Sequence, residues 1–538
     1  MAEGRQVLDK EKEANLPAVS SRRDFLKLAG ALAASVGVAQ VLAACQPKAS
    51  PPVTTAVVPP PPSETPPASS NQTAAPPPST APAPVPEIPG PAPAPQAGLV
   101  TDFGKIGHLL RRAGFGATSE ELAQFIRMGV SATVDYLVDF DKIDDSALEA
   151  RLSGINLNLD NLVDLQRWWF LRMIYTKRPL QEKMTLFWHG LLTSGYTKVG
   201  RGPYMYNQNQ LFRRLALDRY DKMLKAVARD PAMLIWLDSQ VNKKASPNEN
   251  FARELMELFT MGVGNYDEGD VRQSARAFTG WMLNQKVFFF NPNQHDYGDK
   301  YFLGRTGTFD GDDIIDIIVE QPATAEFISR KLFAFFAYDE PEPEVISRLA
   351  NVFRENNYSI KEVMRKILTS DEFYSGKAYR AKLKSPAELI ASTVRTLGIE
   401  TDAAGLPGFA DRTGQSLFNP FDVEGWPGGA TWINSNTLLQ RMNFANTISI
   451  ARSANFKFNP QEITHRLSLA TAEDVIEHFA SLLLDGKISD EERSILIASA
   501  SAVSSVPGGF SNGTSPVVDE KLRNLIYLIL ASPDYQVG

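Results

Sequence analysis

The sequence predicts a mainly α-helical protein, built as one compact multi-helix domain over residues 99–538. Apolar residues recur at intervals of three and four, as in "LVDLQRWWFLRMIY" (162–175) and "LQEKMTLFWHGLL" (180–192), and this spacing places them on one face of a helix. Helix-start signals recur as well, either a hydroxyl followed three residues later by Glu or an Asp followed by Pro. They are "TSEE" (118–121), "DPAML" (230–234), "SPAE" (385–388) and "SDEE" (489–492).

Two segments depart from the helical pattern. "KVFFFNPNQHDYGDKYFLG" (286–304) has an aromatic run, a turn-rich middle and a second short apolar run, which predicts one β-hairpin or an extended arm. "NPFDVEGWPGGATW" (419–432) contains too much Gly and Pro for regular structure and predicts an ordered loop.

The first 45 residues have the features of an export signal. "SRRDFLK", with Arg22 and Arg23, precedes an apolar run from Leu28 to Leu42 that is too short for a comfortable membrane span. The arginine pair resembles a twin-arginine export signal, and the closing "LAAC" resembles a lipoprotein cleavage box. This resemblance implies export of the folded protein, acylation of Cys45 and a position on the extracytoplasmic face of a bacterial membrane. The alternative is an amphipathic N-terminal helix.

Residues 46–98 are rich in Pro, Ala and Thr, and they hold more than half of the 36 prolines. Such a tract cannot bury a core and favours extended polyproline conformations. We expect a disordered linker that lifts the domain away from the membrane. A ligand for a proline-recognising module is the alternative.

Composition excludes several classes of function. The net charge is −7, whereas a nucleic-acid partner would require a basic face. Cys45 is the only cysteine, so we expect no disulfide, cysteine-ligated zinc, iron–sulfur cluster or covalently attached haem in the folded part. A metal would have to be bound by histidine, carboxylate or carbonyl groups, and the sequence leaves its presence and identity open.

The stretch "SPNENFARELMELFTMGVG" (246–264) is the richest in candidate functional residues. Its spacing predicts a helix that starts with "SPNE" as a capping box and stops at Gly262. Arg253 is four residues from both Glu249 and Glu257, so it could pair with either.

The charges on this helix have two interpretations. They are the solvated face of an ordinary helix, or they point into a cleft opposite a wide apolar sector. In the second case Glu254 and Glu257 are candidate acid–base groups or metal ligands, and Arg253 holds one of them ionised.

Other candidates lie in the non-helical segments. His295 and Asp296, in the turn of the predicted hairpin, could be a base with its orienting partner or part of a metal shell; a surface turn is the alternative. Trp426 and Trp432 flank glycines, and together with Arg441 they are candidate ligand-binding residues. Tryptophans in such a loop can also fix it to the core.

Two histidines and one short motif offer further candidates. His189 closes a predicted helix, where packing or capping explains it. His108 precedes Arg111 and Arg112, which could contact an anion or simply begin the domain. "GFSNG" (509–513) matches a nucleophile pattern, but it lacks the strand and helix that this pattern requires.

Five ordered motifs carry a family resemblance. They are "FWHG" (187–190), "NENFARELMELFTMGVG" (248–264), "YDEGDVRQSARAFTGW" (266–281), "HDYGDKYFLG" (295–304) and "GWPGGATWINSNTLLQRMNFA" (425–445). Together they resemble the exported bacterial family known as domain of unknown function 1800, from "HLLRRAGFGAT" (108–118) onwards. Tyr301 departs from the smaller polar residue expected there. The resemblance implies no agreed activity, and it suggests a partner from a second uncharacterised exported family.

Two functional hypotheses follow. The first is a binding or assembly component of the cell envelope, for which the anchor and the long linker are suited. The second is an envelope hydrolase that uses Glu254 and Glu257 with His295 and Asp296, with or without a metal. The sequence favours the first, because it contains no recognised catalytic constellation.

Overall fold

The computed structural model describes residues 98–452, 455–500, 509–511 and 515–538. All of them belong to one compact unit, Gln96–Gly538. The predicted signal peptide, with Arg22, Arg23 and Cys45, and the predicted linker up to residue 97 lie outside the described residues, as does part of "GFSNG".

The prediction of a mainly α-helical fold is confirmed, because 23 α-helices account for most of the described residues. In chain order they are α1 Asp102–Arg112, α2 Ser119–Val138, α3 Ser146–Ser153, α4 Leu162–Tyr175, α5 Pro179–Leu191, α6 Tyr196–Val199, α7 Gly202–Arg214, α8 Tyr220–Ala228, α9 Pro231–Trp236, α10 Asn250–Glu254, α11 Glu268–Ala277, α12 Gly311–Val319, α13 Pro322–Phe336, α14 Pro343–Glu355, α15 Ile360–Leu368, α16 Pro386–Thr396, α17 Leu406–Arg412, α18 Ser435–Ser449, α19 Pro460–Arg466, α20 Ala472–Leu484, α21 Asp490–Ala500, α22 Pro516–Ala531 and α23 Pro533–Gln536.

The strands form three antiparallel pairs within the same described ranges. They are β1 Trp281–Asn284 with β2 Val287–Phe290, β3 Lys300–Phe302 with β4 Arg305–Gly307, and β5 Glu400–Thr401 with β6 Phe456–Lys457. The single hairpin predicted over 286–304 is therefore wrong in detail. That range holds β2 and β3, and each of them pairs with a strand outside it. The aromatic run correctly indicates extended structure, but it does not show that each strand pairs with residues outside the range 286–304.

All four predicted helix-start signals are present. Thr118 with Glu121, Ser385 with Glu388 and Ser489 with Glu492 each exchange side-chain to backbone hydrogen bonds, and Asp230 accepts from the backbone N–H of Met233. Each signal satisfies N–H groups that the first helical turn leaves without partners.

The "SPNE" capping box is wrong. The helix α10 begins only at Asn250, and Ser246 instead forms a backbone bridge with Lys243. The buried Asn242 organises this entry, because its Oδ1 accepts from the backbone N–H of Asn248 at 2.9 Å. The predicted stop is correct, since Gly262 has φ +79°, a conformation that glycine adopts without strain.

Two large apolar clusters form the core. The first takes side chains from α2, α5, α7, α8 and α12–α15 together with Phe251–Phe259, and the second takes side chains from α4, α16–α18, α20 and α22. Helix α5 contributes Trp188 to the first cluster and Leu186 to the second. Burial of this apolar surface is the main favourable contribution to folding.

Candidate functional site

The candidate site is an acidic face made of Glu254, Glu257 and Glu424. The first two come from α10 and the turn after it, and Glu424 comes from the glycine-rich loop 419–432. No salt bridge joins any of these three carboxylates to a cation among the described residues. Glu254 therefore lies within reach of the charges of both Glu257 and Glu424, and none of the three has an ion-pair partner in the described ranges.

A π-helical turn positions Glu257. Residues Leu255–Thr260 follow α10 without a break, and the N–H of Met261 reaches back five residues to the carbonyl of Met256 at 2.9 Å. The hydroxyl of Thr260 donates to the carbonyl of Leu255 at 2.5 Å. Such widened turns are rare and are frequent at functional sites.

Hydrogen bonding fixes Glu257, whereas the Glu254 carboxylate has no hydrogen-bond partner in the part of the chain that the structure describes. The Tyr266 hydroxyl donates to Glu257 Oε2 at 2.8 Å, and burial together with this bond raises the pKa of Tyr266 to about 12. Partial burial, followed by the nearby charges of Glu257 and Glu424, raises the pKa of Glu254, against the opposing effect of Arg253. The charged form of Glu254 is therefore disfavoured by its surroundings.

Arg253 neutralises other carboxylates. It binds Glu268 through both terminal nitrogens, at 2.7 and 2.9 Å, and its predicted pair with Glu249 forms at 3.3 Å. Its predicted pair with Glu257 is wrong, because Glu257 binds Tyr266 instead. The guanidinium of Arg253 is thus bound to Glu268 on α11, and its charge only partly offsets the effect of Glu257 and Glu424 on Glu254.

The glycine-rich loop is ordered as predicted, and it joins the two apolar clusters. Val423 packs against the first cluster and Trp426 against the second. Between them Gly425 has φ +91°, and a Cβ there would lie 2.3 Å from the carbonyl oxygen of Gly190. Only glycine permits this approach. At the outer end of the loop Phe421 is 91% exposed.

The predicted ligand-binding residues are held in packing contacts. Trp426 meets the ring of His189 edge to face at 5.4 Å between centroids, and burial lowers the pKa of His189 to about 3. Trp432 is buried beside Gly414. These positions accord with tryptophans that fix the loop to the core.

Arg441 lies in the interior, away from these tryptophans. Its guanidinium donates to the carbonyl of Lys384 at 2.9 Å and to Gln536 Oε1 at 3.3 Å. Burial lowers the pKa of Arg441 to about 10. No described contact joins it to the acidic face. Its bonds tie α18 to Lys384, just before α16, and to Gln536 in α23.

His295 and Asp296 occupy a different region from the acidic face. The expectation of a surface turn is wrong for His295, which is 4% exposed and whose Nδ1 donates to the carbonyl of Thr279 at 2.8 Å. Asp296 pairs with Arg276 at 2.7 Å, which lowers its pKa. Both side chains hold the segment between the two hairpins, and no described contact links them to Glu254 or Glu257.

A comparison with known proteins identifies the family of this chain. A family model described as "Protein of unknown function (DUF1800)" matches residues 108–537. The chain belongs to the DUF1800 family. No curated protein and no solved structure matches this DUF1800 protein.

Two residues of the site were missed from the sequence of this DUF1800 protein, Glu424 of the acidic face and Tyr266, which binds Glu257. Glu424 lies one residue before the motif "GWPGGATW", and Tyr266 opens the motif after the π-helical turn. Tyr266 is only nine residues from Glu257, and the glycines at 262 and 264 allow the chain to turn back between them. This spacing was a weak indication that the two side chains could meet. Glu424 offered none, since it is 167 positions beyond Glu257 in the chain.

Neither a metal cluster nor a membrane span is found in the part of this DUF1800 protein that the structure describes. Within those ranges no group of three or more His, Cys, Asp or Glu side chains has an arrangement suited to a metal ion. No helix there combines the length and apolar character required to cross a bilayer.

Proposed function

We propose that this DUF1800 protein is an exported, lipid-anchored binding component of the bacterial cell envelope, and that its acidic face receives a cationic group of a partner. A lysine or arginine side chain of a second exported protein has the required chemistry. In this proposal the export signal and the acylation of Cys45 localise the protein to the outer side of the membrane. The linker over residues 46–98 lets the domain extend away from the membrane to reach a partner.

The observation that carries this proposal is that Glu257 and Glu424 both act on Glu254, while none of the three has an ion-pair partner among the described residues. Glu254 has a raised pKa because it is partly buried beside Glu257 and Glu424. Like charges held together at partial burial destabilise a fold and are characteristic of sites that meet a ligand. A bound cation would relieve the repulsion that Glu257 and Glu424 exert on Glu254, and Phe421, exposed three residues before Glu424, offers an apolar contact.

An envelope hydrolase is the second candidate, and the raised pKa of Glu254 is the observation that favours it. A raised pKa suits a general acid, and Glu257, which accepts from Tyr266, would be the second carboxylate of the site. His295 and Asp296 have no part in this version. Release of soluble fragments from purified cell-wall polymer by wild type, but not by Glu257→Gln, would favour the hydrolase.

Binding by the acidic face can be tested with a decalysine peptide and the double variant Glu254→Gln/Glu424→Gln. We expect the variant to bind about five- to tenfold more weakly in fluorescence anisotropy, since each exposed carboxylate–ammonium pair contributes up to about 1 kcal/mol. The variant should also be slightly more stable. Because an acid with a raised pKa is ionised at a cost in the folded state, this gain should increase as the pH rises through that pKa.

Matched variants separate this result from the general acidity of the protein. Replacing two exposed glutamates elsewhere, Glu344→Gln and Glu355→Gln, changes the net charge equally. If this control weakens decalysine binding as much as the acidic-face variant does, the site assignment is incorrect. A loss of stability in Glu254→Gln would equally contradict the proposed strain.

The proposed attachment to the membrane through a lipid on Cys45 can be tested separately. In cells that express the full chain, Cys45→Ser removes the only residue that can accept the lipid. We expect the protein to move from the membrane fraction to the soluble extracytoplasmic fraction, because a thioether-linked acyl anchor supplies the membrane affinity. A Cys45→Ser protein that still sediments with membranes would overturn the lipid-anchored part of the proposal.

A further inference from the structure

The hairpin of β1 and β2 has an inner face that packs on the core. Trp281 is 4% exposed, and its ring meets the ring of Phe288 edge to face at 5.3 Å between centroids. The guanidinium of Arg229 lies 4.2 Å from the centre of the Trp281 ring, and Phe288 packs against the first apolar cluster. Successive residues of a strand point to opposite sides, so the alternate residues of both strands form an outer face.

This outer face is apolar although it is open to solvent. Met282 lies opposite Phe289, and Asn284 lies opposite Val287; we call these four residues the β1–β2 outer face. Val287 is 62% exposed and Phe289 is 41% exposed. An antiparallel sheet with one buried side normally has polar residues on the other. Three apolar side chains of four therefore indicate a surface that meets an apolar partner.

Lys286 lies at the tip of the hairpin. Gln285 and Lys286 form the two-residue turn between the strands, and both have positive φ, +48° and +74°. Asn-Gly is the favoured pair in such turns, because it adopts positive φ at low cost. The sequence here instead places a long cationic side chain at an exposed position directly beside Val287.

Two more lysines lie at the base of the hairpin. The N–H of Gly280, just before β1, donates to the carbonyl of Asn242 at 3.0 Å, and the N–H of Lys244 donates to the carbonyl of Gln294 at 2.8 Å. These bonds hold the segment that contains Lys243 and Lys244 against the chain before β1 and after β2. Both lysine side chains are exposed.

The charge around the hairpin is positive. Residues 239–248 and 281–290 contain the three lysines and no acidic residue, and none of the three lysines forms a salt bridge within the described ranges. The flanking acids Asp238, Glu249 and Asp296 each pair with another cation, at 2.8, 3.3 and 2.7 Å. Asp299 and Lys300, further along, add one charge of each sign.

We propose that the β1–β2 outer face and the three lysines around it dock on an anionic lipid surface. The apolar side chains would enter the boundary between headgroups and acyl chains, and the ammonium groups would meet lipid phosphates. This inference rests on the proposed lipid anchor, because an acyl chain on Cys45 would hold the domain within reach of a bilayer.

The arrangement suits a lipid surface better than a small anion or a cationic partner. Lys286 and the two basal lysines lie at opposite ends of a four-residue strand pair, which spans about 13 Å. One small anion could not meet all three, whereas a bilayer presents its phosphates over a continuous plane. A partner segment rich in Lys or Arg, as proposed for the acidic face, would be repelled here.

Vesicle cosedimentation of the full chain tests this docking, with Cys45→Ser as the parent protein so that acylation plays no part. We expect the parent to bind vesicles of phosphatidylglycerol and phosphatidylcholine about tenfold or more tightly than vesicles of phosphatidylcholine alone, since each lysine near an anionic surface contributes about fivefold. Val287→Ser/Phe289→Ser and Lys243→Gln/Lys244→Gln should each weaken binding about tenfold. In Phe289→Trp, brominated lipid should quench the introduced indole.

Matched variants separate the hairpin from the rest of the surface. Val163→Ser/Val517→Ser and Lys177→Gln/Lys366→Gln change exposed residues of the same types elsewhere, and both should bind like the parent. The N-terminal segment is common to every protein compared, so differences between variants report on the hairpin.

The docking proposal fails if the parent does not prefer phosphatidylglycerol, or if either hairpin variant binds like its control. Self-association that Val287→Ser/Phe289→Ser abolishes, without any dependence on lipid, would assign this face to a second copy of the chain and would also overturn it. Each of these outcomes is distinct from failure of the anchor, which the fractionation of Cys45→Ser in cells reports.

Discussion

Replacing Glu182 with glutamine should lower the free energy of unfolding by about 3–5 kcal/mol, the range found when one partner of a buried ion pair is removed. The side chain of Glu182 is 2% exposed. It accepts from Arg213 Nε and Nη2 at 2.5 and 2.8 Å and from Trp169 Nε1 at 3.1 Å, and Arg172 lies 4.0 Å away. Glutamine keeps the shape and removes the charge, so both guanidinium groups lose their buried counter-ion.

The pH dependence of this variant has a definite sign. Burial alone would raise the pKa of Glu182, but Arg213 and Arg172 hold it below the usual value. An acid with a lowered pKa stabilises the fold above its unfolded-state pKa, and that contribution is lost as the pH falls. Wild type and Glu182→Gln should therefore differ most at neutral pH and converge in acid. Urea unfolding at several pH values measures the difference.

Glu149→Gln is a control on the same network. Glu149 binds Arg172 at 2.7 Å, but its side chain is 60% exposed. We expect a loss below about 1 kcal/mol, since solvent screens such a pair. Equal losses in Glu149→Gln and Glu182→Gln would mean that burial does not set the strength of this network.

Asp230→Asn should become more stable relative to wild type by about 1.4 kcal/mol for each pH unit between about pH 4 and pH 7. Burial is the main cause that raises the pKa of Asp230 from 3.8 to about 7. In that interval the folded carboxyl binds a proton that the unfolded carboxyl has released, so wild-type stability falls as the pH rises. Above the folded pKa the difference between the two proteins should level off.

The geometry around Asp230 makes asparagine a fair replacement. Oδ2 of Asp230 accepts from Gln208 Nε2 at 2.9 Å and from the backbone N–H of Met233 at 3.1 Å, and an asparagine carbonyl can accept both bonds. Chemical unfolding from pH 4 to pH 8 checks the slope. Asp299→Asn, the same replacement at an exposed position, is the control for the change of residue type. A flat difference for Asp230→Asn would refute the raised pKa.

The helical architecture was predictable because its determinants are local. Apolar spacing and the caps at Thr118, Asp230, Ser385 and Ser489 act within one or two turns, and all of them form. The exception, "SPNE", failed because a tertiary contact competed with the local signal. Asn242 captures the backbone N–H of Asn248 and delays the start of α10.

The buried polar groups were not predictable from the same patterns. Glu182 lies in an amphipathic helix, where a glutamate indicates a solvated face, yet its partner Arg213 is 31 positions away. Glu254 and Glu257 are three positions apart in the sequence, while Glu424 joins them only through the folding of the loop 419–432. His295 and Asp296 are candidates because charges concentrate in the five motifs, a criterion that contains no information on distance.

The π-helical turn at Leu255–Thr260 also limits how this segment can vary in length. A widened turn contains one residue more than an α-helical turn of the same span. Loss of a single amino acid there would allow regular helix to form and would rotate every later position about the axis. Tyr266 could then no longer reach Glu257, so this segment can tolerate exchange of side chains far better than insertion or deletion.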